Sequence, residues 1–227
     1  CFNLFELMQK HGVPLLIHAE TNDKNIDIFD RERVFIDRHL AQIHNEFPDL
    51  RIVFEHISSK EAVDFVINAN SKVGATITPQ HMLLDRNNLL SNGIKPHHYC
   101  LPIVKRAEDR LAIIQAAVSG SQKFFLGTDS APHFRYQKES SCGCAGIYSA
   151  AYAMELYVLI FETENALDKL ENFSSKFGAD FYKLPYNKSK IKLIKKELEI
   201  PTKIDIGNEE IIPLFAGETL SWQLSEI

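Results

Sequence analysis

The 227-residue sequence contains no apolar run approaching the roughly 18 residues of a helical membrane span. It shows no basic stretch followed by an apolar core, so no secretory signal is visible. Positive charge is not in excess. The 25 Lys and Arg stand against 30 Asp and Glu, a net charge of −5, which leaves no electrostatic footprint for nucleic acid. Four cysteines are too few for a disulfide scaffold. Cys142 and Cys144, one residue apart, are poorly placed to bridge each other. Reduced thiols in a cytoplasmic protein are expected instead. A cysteine zinc site would need a second ligand pair, and Cys100 is the only other internal cysteine. There is no Gly-rich phosphate loop, no internal repeat and no low-complexity tract. What is present is ordinary globular composition, 45% hydrophobic and 24% charged. It can bury a core as one large domain or two small ones and does not fit intrinsic disorder.

The chain opens on Cys1 inside a helical pattern (Phe2, Leu4, Phe5, Leu7, Met8) that Gly12 and Pro14 end. A helix without a start signal leads to the expectation that further sequence precedes it. Leu15-Leu16-Ile17 reads as a buried strand running into His18. A helix is expected over 27–47, and a second strand over 51–56 ending in Glu55-His56. Ser58 with Glu61 suggests a capping box for the next helix. Val73–Ile77 is a third strand. The segment 78–105 is a long loop, which in a compact domain is usually functional. A helix over 107–119 closes at Gly120, and Phe124-Phe125-Leu126 is a fourth strand before Thr128-Asp129-Ser130. Helices are expected over 145–161 and 165–177, and short extended segments over 190–200 and 211–215.

Strands alternating with helices argue for a parallel sheet covered by helices. The polar residues fall at the C-terminal strand ends: His18, His56, Thr78 and Asp129. A (β/α)8 barrel keeps its active site there. Neutral imidazoles and a carboxylate are common ligands of catalytic zinc. Each histidine alone reads more simply as a satisfied polar residue at a strand end, and on spacing alone a metal site and that bland reading stand about level. Four strand–helix units make half a barrel and leave open edges, which again suggests strands outside this chain.

The runs Leu15-Leu16-Ile17-His18-Ala19-Glu20, Val53-Phe54-Glu55-His56-Ile57, Ala75-Thr76-Ile77-Thr78-Pro79-Gln80-His81, Tyr99-Cys100-Leu101-Pro102 and Leu126-Gly127-Thr128-Asp129-Ser130-Ala131-Pro132-His133 resemble dihydroorotase. The resemblance is to the shorter bacterial type within the amidohydrolase superfamily. It continues through Lys138–Gly146 to Phe215-Ala216-Gly217-Glu218-Thr219 and matches the family's C-terminal two-thirds. It implies a (β/α)8 TIM barrel whose N-terminal strands are missing here. Residues 1–227 would form a single catalytic domain: barrel over about 1–145, then C-terminal helices and extended segments over about 146–227.

The activity implied is the reversible cyclisation of N-carbamoyl-L-aspartate to L-dihydroorotate in pyrimidine biosynthesis, with two zinc ions (Zn2+). By matching motif, His18 and His56 would hold one zinc. Asp129 would hold the other and act as the catalytic proton-transferring base. His133 and the Ala145 backbone would hold the substrate carboxylate, and the Leu101 backbone would meet the pyrimidine ring. Metal ions make such chemistry reasonable, because they lower the pKa of water and polarise carbonyls. The expected partners are this small-molecule substrate and a second copy in a homodimer, with no nucleic acid and no membrane.

The family's first-strand HxH pair, its substrate-binding Arg and Asn, and its bridging carboxylated lysine have no counterpart here. That leaves two other readings: a different cyclic amidohydrolase that opens hydantoin or allantoin, or a truncated barrel acting as a structural partner. His133 and the Ala145 loop favour a substrate with a free carboxylate. Several residues keep plain readings. His97-His98 suit a solvated loop and His81 a structural place in the long loop. Glu20 and Glu55 either orient the neighbouring ligands or pair with rim residues. His11, His39 and His44 suit helix surfaces or packing, and Lys188–Lys196 a solvated face. Cys142 and Cys144 are expected to pack inside a tight loop.

Overall fold

The computed structural model describes residues 1–225. Helix α1 (Phe2–His11) ends at Gly12, whose φ of +67° is the left-handed stop that glycine adopts without strain. Strand β1 (Leu15–Ile17) follows. Helices α2 (Arg31–Phe35) and α3 (Ala41–Glu46) are joined through a π turn over Ile36–Leu40. Then come β2 (Ile52–Phe54), α4 (Lys60–Asn68), β3 (Val73–Ile77), two short helices α5 (Pro79–Leu83) and α6 (Arg86–Leu90), α7 (Ala107–Val118) and β4 (Phe124–Leu126).

These four strands form one parallel sheet in the order β1-β2-β3-β4, with Leu16 opposite Val53, Val53 opposite Gly74 and Ala75 opposite Phe124. The four expected strand–helix units are all present. Among the described residues they form an open sheet, not a closed barrel. β2 is wholly buried, as a strand covered on both faces must be. Its alternate residues enter different cores. Ile52 and Phe54 join the main cluster with Leu40, Ile77, Phe124, Tyr157 and Phe173. Val53 packs with Phe125 and Phe177 on the other face. Gly74 makes room there, since a Cβ would meet Phe125 Cε1 at 2.9 Å.

Beyond β4 lie α8 (Arg135–Lys138), α9 (Ala153–Thr163), and α10 (Leu167–Glu171) running through a π turn into α11 (Phe177–Tyr182). Three small antiparallel pairs finish the chain: β5 (Lys192–Ile194) with β10 (Gln223–Ser225), β6 (Leu198–Glu199) with β9 (Thr219–Leu220), and β7 (Ile204–Ile206) with β8 (Glu209–Ile211). The expected segment 211–215 is therefore extended only at its start, where it pairs back to β7.

Several local expectations need correction. The segment 78–105, expected as a loop, carries α5 and α6. The helix expected from 145 begins as α9 at Ala153, and β1, expected to be buried, leaves Leu16 exposed. The α4 cap is Ser59, not Ser58: Ser59 Oγ accepts from the Ala62 N–H at 3.2 Å. Ser58 is instead turned inward. The helix expected from 27 begins only at Arg31, because Asp27 and Asp30 hold a turn before it. One carboxylate also ties two helix starts together. Asp109 accepts from the Arg106 N–H at α7 and from the Lys60 N–H at α4, both at 3.0 Å.

Candidate active site

The sheet delivers His18, His56, Thr78 and Asp129 to one end of β1 to β4. His18 directly follows β1. His18 Nδ1 lies 3.4 Å from His56 Nε2, with the rings 4.9 Å apart and edge-on. His18 Nε2 lies 3.3 Å from Glu20 Oε2. That contact places a proton on Nε2 and leaves the Nδ1 lone pair facing His56. The Glu20 contact raises the His18 pKa. His56 is buried, and burial, with the His18 charge next, lowers its pKa to about 4. It is therefore held as a neutral imidazole, the form that binds metal. Its Nδ1 is buried without a hydrogen-bond partner, and its Nε2 is the nitrogen that faces His18 Nδ1.

Two nitrogens about 2.0–2.1 Å from one tetrahedral zinc lie about 3.3–3.4 Å apart. The observed spacing fits that requirement. No three His, Cys, Asp or Glu side chains close on a single metal point among the described residues. The pair alone makes half a ligand set.

Two of these residues sit in left-handed backbone: His56 at φ +40° and Asp129 at φ +44°. Side-chain-bearing residues adopt this at a cost of order 1 kcal/mol, and it clusters at functional sites. The His56 conformation is held by its N–H, which donates to Thr76 Oγ1 at 2.6 Å. Thr76 can approach because residue 127 is glycine; a Cβ there would fall 2.5 Å from Thr76 Cβ. Buried Gln80 donates to the Thr128 carbonyl at 2.9 Å and holds the turn that carries Asp129. Asp129 is exposed as a residue, but partial burial of its carboxyl raises its pKa, the His18 charge opposes, and Glu55 adds to the rise.

His133 Nε2 donates to the Ala145 carbonyl at 3.0 Å. The structure therefore brings together the two residues expected to hold a carboxylate. The 145–150 loop is also bound to the turn after β4: Ala131 N–H donates to the Ile147 carbonyl, and Ser130 Oγ accepts from the Ser149 and Ala150 N–H groups. A Cβ at Gly146 would sit 2.5 Å from the Ala131 carbonyl oxygen, so only glycine lets the loops meet. Leu101 precedes Pro102, whose carbonyl accepts from His81 Nε2 at 2.8 Å. The other His81 nitrogen meets Thr78 Oγ1 at 2.7 Å. The structural reading of His81 holds.

Sequence reasoning did not foresee the charged chain behind the histidines. Glu20 lies 3.8 Å from Lys105 Nζ, Lys105 donates to Ser58 Oγ, and Ser58 donates through both N–H and Oγ to Glu32 at 3.0 Å. All four side chains are buried. Burial pushes the Glu32 carboxyl up, and Lys105 pulls it back. Glu55 acts on Asp129 through its charge, so of the two glutamates flagged beside the candidate ligands Glu20 alone contacts one.

The remaining flagged residues find plain places. His97 bonds Glu139 and His98 bonds the Asn88 carbonyl. His39 packs on Phe35 and His44 on Phe65. All four cysteines are free thiols. Cys142 is exposed, contrary to the expected packing, because the turn over 140–143 runs along the surface. No helix among the described residues is long and apolar enough to cross a membrane.

No family model matches the chain. Among curated proteins it is 56% identical over 222 residues to a dihydroorotase of Alcanivorax borkumensis and 59% identical over 223 residues to one of Coxiella burnetii. Both matches cover 98% of this chain and 64% of the relative. The chain thus spans a little under two thirds of the relatives' length. Among solved structures, a Saccharomyces cerevisiae dihydroorotase in complex with 5-fluoroorotic acid superposes with a TM-score of 0.88 at 36% identity, over 98% of this chain and 65% of that one. An L-hydantoinase (dihydropyrimidinase) of Arthrobacter aurescens superposes with a TM-score of 0.74 at 18% identity, over 97% of this chain and 57% of that one, and shares the fold alone.

Proposed function

We propose, from the premise that this chain belongs to the dihydroorotase family, that it carries part of the active site of a zinc-dependent hydrolase of a cyclic amide. The reaction is the reversible cyclisation of N-carbamoyl-L-aspartate to L-dihydroorotate in pyrimidine biosynthesis. The observation that supports it most is the convergence of His18 Nδ1 and His56 Nε2 at 3.4 Å, in a chain similar to dihydroorotases along nearly all its length.

In this reading His18 and His56 hold one zinc and Asp129 a second. Bound zinc supplies Lewis-acid polarisation of the carbonyl under attack and makes water a nucleophile near neutral pH. Glu20 keeps the His18 lone pair aimed. Asp129 takes a proton from the attacking water and returns it to the ring nitrogen. His133, whose Nε2 donates to the Ala145 carbonyl, meets the substrate carboxylate beside that backbone. The backbones of Ala145 and Leu101 meet the carboxylate and the ring. Residues 1–227 belong to one catalytic domain, with a (β/α)8 barrel portion over about 1–145 and C-terminal helices and extended segments over about 146–227. The unpaired β1 edge, with Leu16 exposed, suits closure by further strands. The HxH pair and bridging lysine of the family would come from those strands. A cytoplasmic homodimer fits the same reading.

The test is ring opening by the full-length enzyme, with L-dihydroorotate and hydantoin compared at equal concentration. The reading expects dihydroorotate to be strongly preferred, because only it presents a carboxylate to His133. Equal rates on the two would overturn it.

A further inference from the structure

We propose that Lys138 is a positioning residue for the carboxylate-bearing substrate, locking together the two backbone segments that contact it. This rests on the functional reading above. Lys138 ends α8 and is 3% exposed. Its ammonium donates to three carbonyls, those of Tyr99 at 2.8 Å, Cys144 at 2.7 Å and Gly146 at 2.6 Å. An ammonium has three protons, and all three are used. No carboxylate pairs with it among the described residues. An apolar side chain would fill this place without the cost of burying a charge. What the ammonium adds is geometry.

The three carbonyls come from two separate stretches. Tyr99 stands two residues before Leu101. Cys144 and Gly146 flank Ala145 on both sides. Gly146 N–H also donates to the Tyr99 carbonyl at 2.9 Å, closing the same junction. His133 grips Ala145 from the other direction through its carbonyl. Lys138 is therefore the joint between the segment that meets the ring and the segment that meets the carboxylate. Without it, the Ala145 and Leu101 backbones lose their common anchor, while His18, His56 and Asp129 keep theirs in Glu20, Thr76 and Gln80.

The test is 5-fluoroorotic acid binding, by calorimetry, to the zinc-loaded full-length enzyme and its Lys138→Met variant, with zinc per chain measured on both. A loosened joint displaces contact groups, and misplacement on the ångström scale costs up to about 100-fold. The inference expects binding weakened at least about tenfold, within that bound, with zinc content unchanged. The KM for dihydroorotate should rise more than kcat falls. A variant that melts earlier yet binds within about twofold of wild type, far inside that range, would make Lys138 merely structural and overturn the inference. Zinc lost along with affinity would overturn it too. Should the Met variant fail to fold, Lys138→Gln, which keeps two donor protons, carries the same comparison. Wild-type enzyme that neither binds 5-fluoroorotic acid nor opens dihydroorotate would refute the functional reading itself. Wild-type binding matched by the variant refutes only the lysine.

Discussion

His18 Nδ1 and His56 Nε2, 38 residues apart in the chain, face each other at 3.4 Å. Glu20 fixes which nitrogen of His18 is free, and burial keeps His56 neutral. The two nitrogens stand at the spacing that two ligands of one tetrahedral zinc would have. Replacing Glu20 with Gln should leave the fold intact but weaken zinc binding by roughly 10- to 100-fold, the usual effect of removing the partner that orients a ligating imidazole. Zinc affinity measured against a competing chelator checks this. Unchanged affinity would mean that the Glu20 contact does not aim the ring.

Lys105 sits between two buried carboxylates, Glu20 and Glu32. Lys105→Met would leave Glu32 without its cation and Glu20 with His18 alone. Removing one partner of a buried pair costs about 3–5 kcal/mol. At about 2–4 °C per kcal/mol for a chain of this size, Tm should fall on the order of 10 °C. Calorimetric melting of wild type and variant reads it. A shift under about 2 °C would show that the pair contributes less than about 1 kcal/mol.

Asp129 and His133 leave the same strand, and the proposed function gives them different steps. Asp129→Asn keeps the shape and loses the proton acceptor, so kcat should fall by about 10²- to 10⁴-fold. His133→Ala should raise KM with zinc content unchanged. Steady-state kinetics together with elemental analysis separate the two. Halved zinc in His133→Ala would place that residue among the ligands instead.

Buried His81 supplies a pH dependence of stability. Burial holds its folded pKa down at about 3, against an ordinary 6.5. The unfolded state therefore binds the extra proton first. Stability from this group is complete above about pH 6.5 and is lost as pH falls toward 3, by up to about 1.4 kcal/mol per pH unit. Melting curves from pH 7 to pH 4 should be flatter for His81→Gln than for wild type. Parallel curves would remove His81 from the acid response.

Much of this was legible in the residues. An apolar triplet followed by a polar group marks β1 with His18, β2 with His56 and β4 with Asp129; the reason is plainest at β2, which is buried on both faces and has little room for polar groups before its end. What was not legible is what tertiary contact alone decides. Ser58 and Ser59 are equally good caps on paper, and the choice is made by Glu32, a residue 26 positions earlier that needs Ser58 for its own hydrogen bonds. Nothing in the sequence marks Lys105 or Lys138 as buried. Only the packed fold shows that one faces carboxylates and the other faces carbonyls. Gly127 carries no turn signature, because its role is a close approach to Thr76 from the neighbouring strand.

The most direct test of the central claim is zinc per chain, by elemental mass spectrometry, on full-length wild-type enzyme and on the His18→Ala, His56→Ala double variant. The account predicts that the double variant loses one of the zinc ions bound by wild type and, with it, dihydroorotate turnover. Equal zinc in the two proteins would contradict it, because the converging pair would then hold no metal.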